Sequence, residues 1–255
     1  PATPLVPSEL ADQASFMPLL IDLKSLSLDA RINLMGRAAE HESNSIYPYF
    51  SALLQTDCDT AQLARQLAQR LILRGPDKKV WLRYFDPRVF CHLLWLFNAE
   101  QLWFLLRDIQ QWSWRDPQES WHTYSVVKTD ISISLLRLTP EQWQHLEKLG
   151  LLNHCLKMLL AAGHEYQLDG NTLLQLRKGL DEAKNQHGLI SDTDRSVFAI
   201  QQWRFGNQLH AHPHMQALLG EALKNKASYE GLCRTISEET LHEFANAMQQ
   251  YQHKE

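Results

Sequence analysis

The run VWLRYFDPRVF, residues 80–90, joins a strand pattern to a helix pattern. Residues 79–85, KVWLRYF, are predicted to form a strand, and an apolar helical stretch begins at Pro87 and extends to about residue 106. An aspartate directly before a helix accepts a hydrogen bond from a helix N–H, and proline at the first helical position costs no bond. Asp86 is therefore predicted to cap the helix that starts at Pro87.

Two arginines lie beside this aspartate, and the run has two interpretations. Arg83 and Arg88 are close enough to pair with Asp86 or with a carboxylate of a partner protein. The alternative is a hydrolase or transferase that uses Asp86 as an acid or base at the carboxyl end of a strand, with His92 or His122 brought close by folding. A second carboxylate, a nucleophile or a phosphate loop is not visible near the run, which favours a structural junction with a partner contact.

Composition indicates a water-soluble globular protein without a nucleic-acid footprint. The 255 residues are 44% hydrophobic and 21% charged, with a net charge of −4. Residues 1–135 hold 13 basic against 15 acidic residues, and the remainder hold 12 against 14. Neither half has a basic block, so we expect no nucleic-acid partner and no stable membrane association.

The sequence predicts a cytoplasmic location. The N-terminal stretch PATPLVPSELADQ shows no signal-peptide pattern, and polar residues interrupt the most apolar stretch, residues 89–106, too often for a membrane span. Scattered cysteines without a CxxC pair indicate reduced thiols rather than disulfides or a zinc site. They are Cys58, Cys91, Cys155 and Cys233.

The first half alternates strand and helix patterns. Residues 16–24 and 47–55 have the composition of strands, and residues 28–41 and 59–75 have helical spacing. In the first of these helices the apolar or small residues recur at Leu28, Ile32, Met35 and Ala39. This alternation predicts a mixed α/β lobe with a small central sheet over residues 1–135.

A tryptophan-rich hairpin is predicted next. Residues 108–116 and 121–127 have strand character and are separated by a turn. Trp112, Trp114 and Trp121 lie on these strands, where two placements remain open. They belong either to the core, because indole burial is stabilising, or to an exposed anchor patch for a partner.

From residue 139 the pattern is helical throughout. Thr139, Pro140 and Gln142 form an N-cap, first position and reciprocal capping residue. Several amphipathic segments follow, so residues 136–255 are predicted as an all-helical lobe. The fold class is therefore α/β in the first lobe and helical in the second.

Motifs for catalysis or metal binding are weak. The run LHAHPHM places His210, His212 and His214 at alternate positions, where a zinc or nickel site is conceivable, but a further ligand is not obvious nearby. GxSxG, HExxH, GxxxxGK[ST] and GxGxxG are absent. We therefore expect no cofactor, no metal and no catalytic residue, with a metal-dependent regulator as a third alternative.

The run RYFDPRV, followed by an apolar helix and LLRDIQQWSW, resembles the signature of the type VI secretion adaptor family. These are the Tap/TEC-type, VasW-like effector chaperones, long catalogued as a domain of unknown function. The two aromatic residues, Tyr84 and Phe85, are inverted relative to the usual family order. PLLIDLK and YPYFSALL are similar to the opening strands of the family, and the resemblance extends from about residue 16 to about residue 220.

The resemblance implies a non-enzymatic adaptor in the bacterial cytoplasm. Such adaptors bind a toxic type VI effector and promote its loading onto the VgrG spike. The first lobe would be the shared adaptor module, and the second would contribute selectivity for effector or spike. On this interpretation the partner-binding residues are Arg83, Asp86, Arg88, Trp112, Trp114 and Trp121.

Overall fold

The strands are short and pair only with antiparallel neighbours in the part of the chain that is described. A computed structural model describes residues 2–45, 48–75, 77–130, 133–225 and 227–252. These residues fall into two compact units, residues 1–143 and 144–255, called here the N-terminal and C-terminal units. Division into functional lobes at residue 135 stays a prediction.

Three small sheets occur within the described residues, all in the N-terminal unit. The strands are β1 (Ala2–Pro4), β2 (Leu19–Ile21), β3 (Leu53–Gln55), β4 (Ile72–Arg74), β5 (Lys79–Trp81), β6 (Gln111–Arg115) and β7 (Trp121–Ser125). β1 pairs with β2, β4 pairs with β5, and the largest sheet has the order β3-β6-β7. The predicted layout, a mixed α/β half followed by a helical half, is confirmed.

The helices account for most of the remaining described chain. In the N-terminal unit they are α1 (Leu28–Asn44), α2 (Thr60–Arg70), α3 (Pro87–Leu96) and α4 (Ala99–Leu106). Helix α5 (Pro140–Glu147) crosses from one unit to the next. The C-terminal unit contains α6 (Leu149–Ala161), α7 (Gly170–Asn185), α8 (Asp192–Phe205), α9 (Pro213–Asn225), α10 (Tyr229–Cys233) and α11 (Glu238–Gln252).

Local signals set where several helices begin. The Asp59 carboxylate accepts hydrogen bonds from two N–H groups in the first turn of α2, both at 3.1 Å. At α5, Thr139 Oγ1 accepts from the Gln142 N–H at 3.2 Å, and Gln142 Oε1 accepts from the Thr139 N–H at 3.0 Å. The Thr139 cap was predicted from the sequence because capping is a contact between near neighbours.

Two predicted elements end earlier than the pattern suggested. The helix predicted over 59–75 stops at Arg70, because residues 72–74 pair with residues 79–81 as the β4–β5 hairpin. The strand predicted over 79–85 stops at Trp81, after which the chain turns into α3. Residue 47, the first of the strand predicted over 47–55, lies outside the described residues, and β3 covers only the end of that prediction.

The helical stretch predicted from residue 87 to 106 is two helices rather than one. α3 ends at Leu96, and Asn98 opens α4. The Asn98 side chain accepts from the Gln101 N–H at 2.9 Å, and the Gln101 side chain accepts from the Asn98 N–H at 3.0 Å. This reciprocal capping box was hidden in the sequence by the uniformly apolar residues on both sides.

The core of the N-terminal unit is built around an aromatic cluster on α3 and β6. Phe90 is 0% exposed. Its ring stacks on Trp112 with 4.9 Å between centroids and meets Trp114 edge-on at 5.0 Å. Tyr84 adds a tilted contact with Trp112 at 5.9 Å. The cluster therefore ties the largest sheet to the helix that follows the RYFDPRV run.

The C-terminal unit depends on a close approach of α7 and α8. A Cβ atom at Gly179 would lie 2.8 Å from Ala199 Cα, so only glycine allows these two helices to pack this closely. Leu173, Leu176 and Leu180 on α7 are fully buried. The interior of this unit is formed by helices packed against one another and is rich in leucine and phenylalanine.

Replacing the central ring of the aromatic cluster should destabilise the N-terminal unit strongly. We expect Phe90→Ala to lower the free energy of unfolding by about 3–5 kcal/mol, because it removes a buried ring and leaves a cavity between two indoles. Urea denaturation followed by tryptophan fluorescence measures the loss. Val127→Ala, at a position 64% exposed, is the control. A loss of less than about 1 kcal/mol for Phe90→Ala would contradict this account of the core.

Candidate functional site

Asp86 is the centre of a charged cluster at the start of α3. Its side chain is only 8% exposed, whereas those of Arg83 and Arg88 are each 48% exposed. Arg88 donates to Asp86 twice through its guanidinium, from Nε to Oδ1 at 3.0 Å and from Nη2 to Oδ2 at 2.7 Å. Arg83 Nη2 donates to Oδ2 at 3.2 Å. The predicted pairing of the aspartate with both arginines is confirmed.

The same carboxylate caps the helix. The Arg88 backbone N–H donates to Asp86 Oδ1 at 3.0 Å, and Pro87 occupies the first helical position. Burial alone would raise the pKa of Asp86. The hydrogen bonds and positive charge of Arg88, helped by the charge of Arg83, outweigh burial and leave the pKa below its ordinary value. Asp86 is therefore an ionised structural anion.

Aromatic rings support the exposed arginine on the strand side. The Arg83 guanidinium carbon lies 5.5 Å from the Trp81 ring centroid and 5.9 Å from that of Phe85. The two rings are themselves in tilted contact, with centroids 6.3 Å apart. The negative face of an aromatic ring attracts a guanidinium cation that lies within about 6 Å of its centroid. Arg83 is thus held between a carboxylate and two rings.

Tyr84 anchors the cluster from beneath. The ring is 1% exposed, and its Oη donates to the Leu67 carbonyl of α2 at 2.9 Å. Burial raises the pKa of Tyr84 above its ordinary value. The Tyr84 side chain points into the unit, and those of Arg83 and Phe85 on either side of it face outward. The turn therefore carries exposed arginines beside half-buried aromatic rings.

The tryptophans predicted as an anchor patch are divided by the fold. Trp112 and Trp114 are 3% and 6% exposed, and only Trp121 remains open, at 45%. The predicted hairpin forms, with Trp112 opposite Tyr124 and Trp114 opposite His122. Of the two placements left open, the core is confirmed for Trp112 and Trp114, because α3 covers the face that carries them. An exposed patch that includes all three tryptophans is therefore wrong. Whether any of the predicted residues binds a partner stays a prediction.

Two histidines were proposed for an enzyme site. His92 is fully buried in α3, and His122 pairs with a carboxylate other than Asp86. His122 and Asp116 are joined by a hydrogen bond of 2.7 Å between Nε2 and Oδ2. The other oxygen of Asp116 accepts from the N–H groups of Gln118 and Ser120 in the hairpin turn, at 2.8 and 2.9 Å. This aspartate therefore shapes the turn that joins β6 to β7.

The three alternating histidines of the C-terminal unit do not converge. His210 is buried, and its Nε2 lies 3.2 Å from Gln201 Oε1. Burial lowers its pKa to about 3, so the ring is neutral. His212 instead stacks on Phe244 at 4.0 Å. Among the described residues no group of three or more histidine, cysteine, aspartate or glutamate side chains is placed to hold a metal.

A shallow groove of about 380 Å³ lies elsewhere in the N-terminal unit. Trp103, Ile109 and Val126 supply apolar wall, and Asp108 supplies charge. Asp108 is already ion-paired with the buried Arg70. The groove was not visible in the sequence, because loops distant along the chain form it.

Helix α1 carries an exposed apolar stripe. The sequence periodicity predicted which residues form it but not whether they face solvent. Leu28, Ile32 and Met35 are 64%, 62% and 52% exposed. The helix itself was predicted over residues 28–41 and is confirmed as Leu28–Asn44. The spacing alone did not show that this stripe faces solvent rather than core.

Part of the N-terminal unit is similar to a known protein family. Residues 5–103 match the sequence model of a domain of unknown function, DUF4123. The matched segment contains α1, the RYFDPRV run and the whole of α3. No curated protein and no solved structure matches the chain. Within the described residues, no helix is long and apolar enough to cross a membrane.

Removal of the buried carboxylate should weaken the junction. We expect Asp86→Ala to lower the free energy of unfolding by about 1 kcal/mol or more, because a helix cap is lost and two guanidinium groups lose their shared partner. Thermal and urea unfolding measure the change, with Asp130→Ala at an exposed loop position as the control. Equal stability of wild type and Asp86→Ala would rule out the junction role.

The contribution of the Asp86 charge to the free energy of unfolding should depend on pH. Because the folded-state pKa of Asp86 lies below its ordinary value of 3.8, its ionised form contributes stability above that value. This contribution is lost as the pH falls through the lower folded-state pKa. The stability difference between wild type and Asp86→Asn, which keeps a capping side chain but has no charge, should therefore be constant near neutrality and shrink at acidic pH. A difference that grows on acidification would contradict the assignment.

Proposed function

We propose that this protein is a cytoplasmic adaptor that binds a type VI secretion effector and promotes its loading onto the VgrG spike. The role is recognition of other proteins rather than catalysis. The observation that carries the proposal is the match of residues 5–103 to the DUF4123 model, since this segment contains the RYFDPRV run on which the resemblance to effector chaperones depends.

The geometry of that run suits a recognition surface. The turn presents two half-exposed guanidinium groups, and that of Arg83 lies over the half-buried rings of Trp81 and Phe85. Arginine beside aromatic rings is the composition that dominates binding hot spots. Carboxylates or backbone carbonyls of an effector would accept hydrogen bonds from Arg83 and Arg88.

The charge arrangement also favours binding over chemistry. Two guanidinium groups engage the Asp86 carboxylate, and the resulting low pKa makes it a poor proton acceptor near neutral pH. His122 is engaged with Asp116. The rival hydrolase or transferase would have to break the ion pairs of Asp86 before that carboxylate could act as a base.

Co-expression with the product of the adjacent gene tests the function. The adaptor is captured through a tag on its own chain, and light scattering gives the mass of the eluted complex. A stoichiometric complex, with the second protein more soluble than when expressed alone, is the expected result. A well-folded adaptor that binds neither this product nor the VgrG encoded nearby would contradict the proposal.

Within that complex, Arg83 and Arg88 should contribute more to the binding affinity than other surface arginines. We expect Arg83→Gln with Arg88→Gln to weaken binding at least tenfold, about 1.4 kcal/mol, because charge-assisted hydrogen bonds to the partner are lost. Isothermal titration calorimetry measures the dissociation constant. Unchanged affinity in the folded double variant would remove this surface from the interface.

The matched control replaces two exposed arginines outside the cluster, Arg65→Gln with Arg137→Gln. Because Arg83 and Arg88 also stabilise Asp86, thermal unfolding of each variant is recorded first. Binding is then compared well below the lower melting temperature, so that a loss of affinity is not confused with a loss of fold.

A further inference from the structure

Helix α1 is attached to the N-terminal unit along one narrow edge. Over its 17 residues only Ala38 is buried. Neighbouring contacts are peripheral: Glu42 Oε2 lies 3.8 Å from Arg115 Nη1, and the His41 ring meets Tyr49 at 5.5 Å. Helices of soluble proteins normally obtain most of their stability by burying an apolar face, and α1 leaves its apolar face open.

The open face has the spacing of a helix-packing seam. Leu28, Ile32, Met35 and Ala39 follow one another at intervals of four, three and four residues, which is the alternation of the two core positions of a coiled coil. These four residues, called here the α1 seam, form a line about 16 Å long at 1.5 Å per residue. A Cβ atom at Gly36 would have nothing within 4 Å, so a second helix has room to approach closely beside the seam.

The charges on α1 do not fit a lipid surface. Helices that lie on anionic bilayers carry mostly lysine and arginine on their polar face. α1 carries Arg31 and Arg37 against three acids, Asp29, Glu40 and Glu42. At 100° per residue, Asp29 and Arg31 fall on opposite sides of the seam, so its two borders have opposite charge at the start of the helix. Glu42, further along on the Arg31 side, lies near Arg115 of the same unit.

A second copy of this chain is also a poor occupant. The three exposed side chains form an apolar patch of roughly 300 Å², whereas a stable interface buries about 800 Å² on each partner. When two seams are aligned antiparallel about their midpoint, like borders face each other, so Arg31 lies nearest Ala38 and Asp29 nearest Gly36 of the other copy, and neither charge finds a complement. The seam is therefore one part of a larger surface that a different protein covers.

We propose that the α1 seam binds an amphipathic α-helix of the effector that the protein carries. That helix presents apolar residues in the same alternating spacing, with an acidic side chain beside Arg31 and a basic side chain beside Asp29. The inference rests on the proposed adaptor function and specifies the partner's local structure. Five of the ten large apolar residues that are prominently exposed lie between residues 16 and 35, which places the seam in the most apolar part of the described surface.

The first test replaces the seam without breaking the helix. Leu28→Gln, Ile32→Gln and Met35→Gln are combined, because glutamine is a good helix former and these positions make little contact with the core. We expect the affinity for the co-expressed adjacent-gene product to fall at least tenfold, with the melting temperature unchanged. Its control, Val127→Gln, Ile190→Gln and Leu223→Gln, removes three apolar residues elsewhere that are at least as exposed, and it should bind like wild type.

Photo-crosslinking distinguishes a helix from other occupants. A benzophenone amino acid is placed at residue 28 or at residue 35, positions about 10.5 Å apart along α1. Crosslinks to an effector helix should fall about seven residues apart in the effector, whereas an extended segment would give sites about three residues apart. Crosslinks to another copy of the adaptor would overturn the proposal, as would the strand spacing.

The outcomes separate this inference from the proposed function. Tight binding by wild type and control with loss in the seam variant supports both. Equal binding by wild type and the seam variant overturns the seam while the adaptor function stands. Absence of any complex with wild type overturns the adaptor function and the seam together.

Discussion

The ionised Asp86 carboxylate beneath two arginines is the interaction on which the N-terminal unit depends. It closes the turn after β5, caps α3 and sets the direction in which that helix leaves the hairpin. Phe90 lies one turn further along α3, and the packing of Trp112 and Trp114 around its ring fixes the largest sheet. A local electrostatic contact thus positions a non-local hydrophobic core, and its exposed side is the surface that we assign to recognition.

Contacts between close sequence neighbours could be predicted, and contacts between distant elements could not. The cap at Asp86 and the capping box at Thr139 depend on residues within one helical turn, so the residue types are sufficient to locate them. The break at Asn98 has the same chemistry but was missed, since an apolar run on either side concealed it. Burial of Trp112 and Trp114 depends on Phe90, more than 20 residues away, and no periodicity reports such packing.

The two surfaces assigned to recognition are physically different. The arginine turn is rigid and charged, with its cations held by a buried anion and by aromatic rings. The α1 seam is apolar, and its helix is loosely attached to the unit. The sequence pattern predicted the residues of the seam but not their exposure. A charged surface steers association and sets register, whereas an apolar helix face supplies burial once the partner is in place. Together they would suit an adaptor that holds a partner firmly without a catalytic centre.

Hydrogen exchange of the adaptor, free and bound to the adjacent-gene product, tests the recognition account most directly. Because α1 is weakly packed, its amides should exchange readily in the free protein and slow markedly in the complex. We predict slowing in residues 28–44 and in residues 83–90, the two surfaces of the N-terminal unit. Slowing confined to residues 144–255, with the segment 5–103 unchanged, would contradict the claim that this segment carries the recognition surface.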